Sequence, residues 1–154
     1  MILVTLGTQK QSFTRLLDMV ENSKIKDEII VQAGHTKYES KKMKVFDFID
    51  YEKMDELINK ADIIITHGGT GSIVTPLKKN KKVIACPRLK KYGEHVDDHQ
   101  VQIVDTFDDV GYILKLEEES NLDELIEKIK REKMIKFKSN SKNFIKLIKY
   151  EIEN

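Results

Sequence analysis

A single cysteine, Cys86, stands in 154 residues, which excludes an intramolecular disulfide and a cysteine-rich zinc site. Tryptophan is absent and proline occurs twice. No apolar run approaches the ~18 residues that a membrane-spanning helix requires; the longest centres on Ile63–Ile65. An excess of one charge sign is lacking too, since 27 Lys+Arg against 26 Asp+Glu leave a net +1. Domains that grip nucleic acid through bulk charge carry a basic excess, so no nucleic-acid partner is expected. What is present is 40% hydrophobic residues, enough for a core that needs no covalent staple. At roughly 100–200 residues per domain, residues 1–154 read as one domain. Met1-Ile2-Leu3-Val4 opens directly on a strand-like run without a basic leader, so a cytoplasmic setting is expected.

Two kinds of segment alternate along the chain. Runs rich in β-branched residues predict strands at Met1–Leu6, Glu28–Ala33, Lys44–Phe48, Asp62–Thr66, Lys82–Cys86 and Tyr112–Leu116. Several are apolar on consecutive residues, as parallel strands covered on both faces should be. Helical spacing lies between them: Phe13, Leu16, Leu17 and Val20 behind Ser12 as N-cap; Met54, Leu57, Ile58 and Ala61; and Leu122, Leu125, Ile126 and Ile129. The last set begins at Asn121 with Glu124 three residues on, close to a capping box. Strand–helix alternation predicts an α/β fold, a Rossmann-like doubly wound parallel sheet with right-handed crossovers. After Leu116 only helical pattern remains, ending in an amphipathic segment over 139–154. Its apolar face (Phe144, Ile145, Ile148, Ile152) packs on the sheet or docks on a partner or membrane; both remain open.

Glycine placement carries the functional signal. Gly7-Thr8 ends the first strand, and His67-Gly68-Gly69-Thr70-Gly71-Ser72 ends the fourth and opens a helix. In a doubly wound sheet those strands are neighbours where strand order reverses, and ligands bind outside their carboxyl ends. The two loops should therefore face one another across a cleft. Amides in the first helical turn lack intrahelical partners, so with the helix dipole they form an anion site, joined by the Thr70 and Ser72 hydroxyls. The plain alternative is a tight strand-to-helix turn, although three glycines and two hydroxyls exceed its needs. Neither a P-loop lysine nor a G-x-G-x-x-G after the first strand is present, which weakens ATPase and dinucleotide readings.

A third cluster, Pro87 to Gln100, follows the fifth strand and should reach the same crevice. Arg88, Lys90 and Lys91 could complement a diphosphate; Glu94, Asp97, Asp98 and Gln100 could accept sugar or ribose hydroxyls. Asp97 or Asp98 as a helix N-cap explains the acidic pair without a ligand. His95 and His99 stand at i, i+4, a spacing able to bind zinc, but no H-E-x-x-H pattern accompanies them and no metal is expected. His35 reads as a surface turn residue or a cleft residue, Cys86 as a buried apolar one. The Lys78–Lys82 stretch reads as a solvated turn, with attraction to an anionic leaflet as the alternative.

Leu3–Gln9, Ala61–Ser72 and Pro87–Gln100 together resemble the C-terminal-domain family of glycosyltransferase family 28, over about residues 1–115. Similar in particular are small bacterial capsule and exopolysaccharide glycosyltransferase subunits, and the cytosolic subunit of the eukaryotic two-component N-acetylglucosaminyltransferase of N-glycan assembly. The resemblance implies half of a GT-B enzyme: a donor-binding domain, with a membrane-anchored subunit supplying the acceptor half and a lipid-linked saccharide. It implies a UDP-sugar donor, UDP-galactose or UDP-N-acetylglucosamine, with Gly69–Ser72 at the diphosphate. Together with the loop placement above, the expected donor-binding residues are Gly7, Thr8, Gly68, Gly69, Thr70, Gly71, Ser72, Arg88, Lys91, Asp98 and Gln100. No cofactor is implied. The setting would be the inner face of the membrane, reached through the partner, in polysaccharide biosynthesis. One departure stands out: relatives carry a ribose-holding Glu shortly after the Gly-Ser, where this chain has Ile73-Val74-Thr75-Pro76-Leu77. Pro76 should also make the helix start late or kink.

The implied reaction is inverting transfer of the sugar to the lipid-linked acceptor. Backbone amides at Gly69–Ser72, with Arg88 and Lys91, would meet the charge on departing UDP. His67, Glu94 and His95 are local candidates for the general base, beside a base from the partner. The rival reading is a non-catalytic partner-binding subunit that keeps the fold with weakened donor binding. Substitution of Gly69 or Gly71 by a β-branched residue is expected to abolish UDP binding in a folded protein.

Overall fold

The computed structural model describes residues 1–138. Six strands form one parallel sheet: β1 (Ile2–Thr5), β2 (Ile29–Gln32), β3 (Lys44–Phe46), β4 (Ile63–His67), β5 (Lys82–Cys86) and β6 (Leu114–Lys115). Their order is β3-β2-β1-β4-β5-β6, so β1 and β4 are neighbours at the point of reversal. The predicted strands all form, and β5 has the expected bounds. The helices are α1 (Thr14–Glu21), α2 (Tyr51–Lys60), α3 (Thr70–Lys78), α4 (His99–Val110) and α5 (Leu122–Arg131).

Burial on both sheet faces explains the continuous apolar runs. Alternate β1 residues enter opposite cores, Ile2 and Val4 with α1 and α5, and Leu3 with α2, α3 and α4. Register places Thr5 beside both Gln32 and Thr66, which brings the carboxyl ends of β1, β2 and β4 level. The Thr5 hydroxyl donates to Thr66 Oγ1 at 2.8 Å inside the sheet.

Local chemistry explains two departures from expectation. Phe13, not Ser12, occupies the N-cap position of α1, because its side chain is fully buried and its amide donates to Thr36 Oγ1 at 2.9 Å. The α3 helix does not start late: Ile73 N–H bonds Gly69 O at 3.1 Å. Pro76 stands near the far end of that helix, so its missing N–H removes one late bond and leaves the first turn intact. Elsewhere expectation and structure agree more closely. Asn121 caps α5 by accepting from the Glu124 amide at 3.2 Å. Cys86 is buried, which pushes its thiol up to about 12. The Lys78–Lys82 stretch, expected as a solvated turn, is one only in part: Lys78 ends α3, Lys82 opens β5, Lys79 pairs with Asp55 at 2.7 Å and Lys82 Nζ donates to Ile129 O at 2.7 Å. The segment 139–154, read as an amphipathic helix, lies outside the described residues. No helix among them is long and apolar enough to cross a membrane.

Candidate functional site

The β1 and β4 loops meet over a histidine. Gly7 has φ +76°, a left-handed conformation that L side chains rarely adopt. A Cβ added at Gly7 would stand 2.4 Å from His67 Nε2, and one at Gly69 would stand 2.5 Å from His67 Cε1. The imidazole therefore fills the gap between the two loops, and both glycines exist to admit it. Gln32 fixes the β1 side: its carboxamide accepts from Gly7 N–H at 3.1 Å and donates to Gly7 O at 3.0 Å.

Hydrogen bonding settles the protonation of that histidine. Gln100 Oε1 accepts from the Gly68 and Arg88 amides at 2.9 and 3.1 Å, so its Nε2 is left as donor toward His67 Nδ1, 3.2 Å away. His67 then carries its proton on Nε2, which donates to Ser72 Oγ at 3.0 Å. Burial, reinforced by the Arg88 charge, pushes the His67 pKa down to about 3, so the ring is neutral. With its oxygen engaged as acceptor, the Ser72 hydroxyl keeps its own proton to give outward.

Gly71 differs from its neighbours. Its φ is not in the left-handed region, and a Cβ there would meet nothing within 4 Å. Neither conformation nor packing asks for glycine in this helical position, where alanine is favoured by up to about 1 kcal/mol. What the missing side chain leaves is open space beside first-turn amides that lack intrahelical acceptors. Two cavities share Gly7, Thr8, Gly71 and Ser72. One, about 500 Å³, is completed by Gln9, His67, Gly69, His95, His99 and Gln100. The other, about 330 Å³, lies between α2 and α3, with Phe48, Ile49, Tyr51 and Met54 on one side and Thr75 and Pro76 on the other.

The expected residues divide between the cavities and the scaffold. Gly7, Thr8, Gly69, Gly71, Ser72, His67, His95 and Gln100 line the cavities. Thr70 opens α3, and Gly68 packs on α4, where an added Cβ would lie 2.8 Å from Gln100 Cβ. Arg88 and Lys91 are placed elsewhere. Arg88 is 1% exposed, and its guanidinium donates to Leu6 O, Gln11 O and Glu94 O at 2.7, 2.7 and 2.9 Å. Burial lowers its pKa to about 10, so a charge remains; that charge ties together the loops after β1 and β5. Lys91 pairs with Glu118 at 2.7 Å on the surface.

The carboxylates near this cluster are likewise engaged within the fold. Glu94 is buried, its oxygens accepting from Arg15 Nε and Nη2 at 2.9 Å and from Leu89 N–H at 2.9 Å. Asp98 accepts from the Lys90 amide at 3.0 Å, while Asp97 accepts from the His99 amide at 3.0 Å, so the acidic pair organises the α4 start. Asp97 also faces His95 Nδ1 and His99 Nδ1 at 3.2 and 3.4 Å. Among the described residues no group of three or more His, Cys, Asp or Glu could hold a metal. His35 is exposed, edge-on to Phe48 with centroids 5.1 Å apart.

Sequence reasoning missed the cavity between α2 and α3. The periodicity of α2 showed its core face, whereas Tyr51, Met54, Asp55 and Ile58 repeat the same spacing toward the cavity. The available signal was the pair of aromatics Phe48 and Tyr51 between a strand run and a helical pattern; in the structure Phe48 follows β3 and Tyr51 opens α2, 46% and 80% exposed.

The model of the glycosyltransferase family 28 C-terminal domain matches residues 1–153. The chain is 40% identical over 73 residues to the UDP-N-acetylglucosamine transferase subunit ALG13 of Saccharomyces cerevisiae, covering 47% of this chain and 34% of that protein. It is 33% identical over 102 residues to the UDP-N-acetylglucosamine–N-acetylmuramyl-(pentapeptide) pyrophosphoryl-undecaprenol N-acetylglucosamine transferase of Clostridium botulinum, covering 66% and 26%. The matches thus span about a third or less of these curated relatives. An NMR solution structure of ALG13 superposes with a TM-score of 0.63 at 22% identity, covering 99% of this chain and 96% of that one. The crystal structure of Acinetobacter baumannii MurG gives 0.56 at 16% identity, covering 83% and 41%. Both likenesses are of fold.

Proposed function

This chain belongs to the glycosyltransferase family 28 C-terminal domain family, and we propose from that premise that it is the donor half of a GT-B enzyme binding a UDP-sugar. The observation that carries the reading is Gly71: a helix residue kept small for no internal reason, at the rim shared by two cavities. The diphosphate belongs at that rim, met by first-turn amides, the dipole of α3 and the outward Ser72 proton. The uracil and ribose take the more apolar cavity beside Phe48 and Tyr51, and the sugar takes the cavity lined by His95, His99 and Gln100. The N-acetylglucosamine transferases among its relatives favour UDP-N-acetylglucosamine over UDP-galactose.

In the proposed reaction an acceptor hydroxyl attacks the anomeric carbon opposite the diphosphate. The anomeric C–O bond breaks, UDP leaves with the electron pair, and the configuration inverts. Donors already aimed at the leaving diphosphate stabilise charge as it develops, an effect worth about 10²–10³ in kcat for one such donor. For the hydroxyl's proton, His67 is a poor base, because burial pushes its pKa down to about 3 and both nitrogens are engaged. Glu94 is saturated by Arg15 and Leu89. Of the three candidates this leaves His95, whose Nδ1 lies 3.2 Å from Asp97 Oδ1 and 3.3 Å from the Asp97 amide, unless the acceptor half supplies the base. That half would come from a membrane-anchored subunit presenting a lipid-linked saccharide.

Isothermal titration of the full chain with UDP tests the reading. Saturable binding that Gly71→Val abolishes supports it. No binding, alone or with an acceptor-binding subunit, would leave the non-catalytic partner-binding reading, which the carboxylate-free Ile73–Leu77 stretch favours.

A further inference from the structure

We infer that Asp55 is the acceptor that holds the vicinal hydroxyls of the nucleotide's ribose, an inference that rests on the donor-site reading above. Asp55 lines the cavity between α2 and α3, on the same helical face as Tyr51, Met54 and Ile58. Among the described residues lining that cavity it is the only charged one. The other strong polar group there, the Gln32 carboxamide, is spent on Gly7 and Asp47. The Thr5 hydroxyl is spent on Thr66.

The carboxylate is also held in position. Lys79, the C-cap residue of α3, pairs with its Oδ1 at 2.7 Å and donates to Asn59 Oδ1 at 3.0 Å. Oδ2 receives only a 3.4 Å contact from Asn59 Nδ2. A carboxylate offers about four lone-pair sites, so accepting capacity remains. Two adjacent hydroxyl donors match a two-oxygen acceptor, the means by which nucleotide crevices of open α/β sheets hold ribose. Asp55 reaches the cavity from α2 and pairs with Lys79 at the end of α3 away from its first-turn amides, where a negative charge opposes a diphosphate least.

The test compares UDP with 2′,3′-dideoxy-UDP by calorimetry on the full chain, wild type and Asp55→Asn. Wild type should prefer UDP by about ten- to a hundredfold, the range for hydrogen bonds to a charged group. D55N should lower UDP affinity to the dideoxy level and leave dideoxy-UDP binding unchanged, and Asp55→Glu should restore part of the preference. Discrimination that survives in D55N overturns the assignment alone, as does equal weakening of both ligands. Failure of wild type to bind UDP overturns the donor reading itself.

Discussion

Alanine at position 71 should make this protein more stable and, at the same time, a poorer nucleotide binder. The structure supplies both signs. A Cβ at 71 meets no atom within 4 Å and faces no left-handed φ, so the substitution adds neither clash nor strain. Alanine's helix preference then gains up to about 1 kcal/mol, or about 2–4 °C in melting temperature for a chain of this size. The same methyl enters the space beside the first-turn amides, and UDP affinity should fall at least about tenfold. Gly69→Ala behaves oppositely: its Cβ would stand 2.5 Å from His67 Cε1, and overpacking costs about 1–3 kcal/mol. Thermal unfolding without ligand should therefore rank Gly71→Ala above wild type and wild type above Gly69→Ala. With UDP at 100 times its wild-type Kd, wild type gains about 2.7 kcal/mol and overtakes Gly71→Ala. If Gly71→Val binds UDP like wild type, the rim is not where the diphosphate sits and the reasoning fails.

Three further outcomes follow from the same geometry. Ser72→Ala removes one outward donor and should weaken UDP by about tenfold in calorimetry without lowering the melting temperature by more than a few degrees. His67 has a folded pKa of about 3 against an ordinary 6.5, so the unfolded chain binds the extra proton first. Stability should accordingly drop as pH falls from 6.5 toward 4.5, before carboxylates titrate, and urea midpoints of His67→Gln should show a flatter slope there. Arg88→Met leaves three carbonyls, two of them buried, without their donor; it should cost about 3 kcal/mol or more, read as a lower urea midpoint.

The Gly69 contact revises the expectation that both loop glycines could take a β-branched residue while the protein stayed folded. In sequence, Gly69 and Gly71 are two small residues of one motif. In space one makes room for a histidine of its own chain and the other for something else. A comparable division separates Arg88 from the cavity. A basic residue after β5 reads as a phosphate ligand, yet its guanidinium turns inward, 5.0 Å from the Phe13 ring centroid, to satisfy carbonyls of three loop residues. The loop after β1 passes close to the β5 loop, and nothing local to residues 87–91 records that approach.

The strand runs, the helical spacings and the position of the two glycine loops were legible because each depends on periodicity and on turn chemistry within a few neighbouring residues. From these followed the doubly wound sheet and the crevice at β1 and β4. Tertiary structure alone decided which polar groups face that crevice and which are consumed in building it. Hydrogen-bond capacity is finite, and only folding brings Gln100 to the Gly68 amide, Arg15 to Glu94 and Lys79 to Asp55. The cavity between α2 and α3 was hidden for the same reason, since its walls come from residues 5 to 76 and meet nowhere in the chain order.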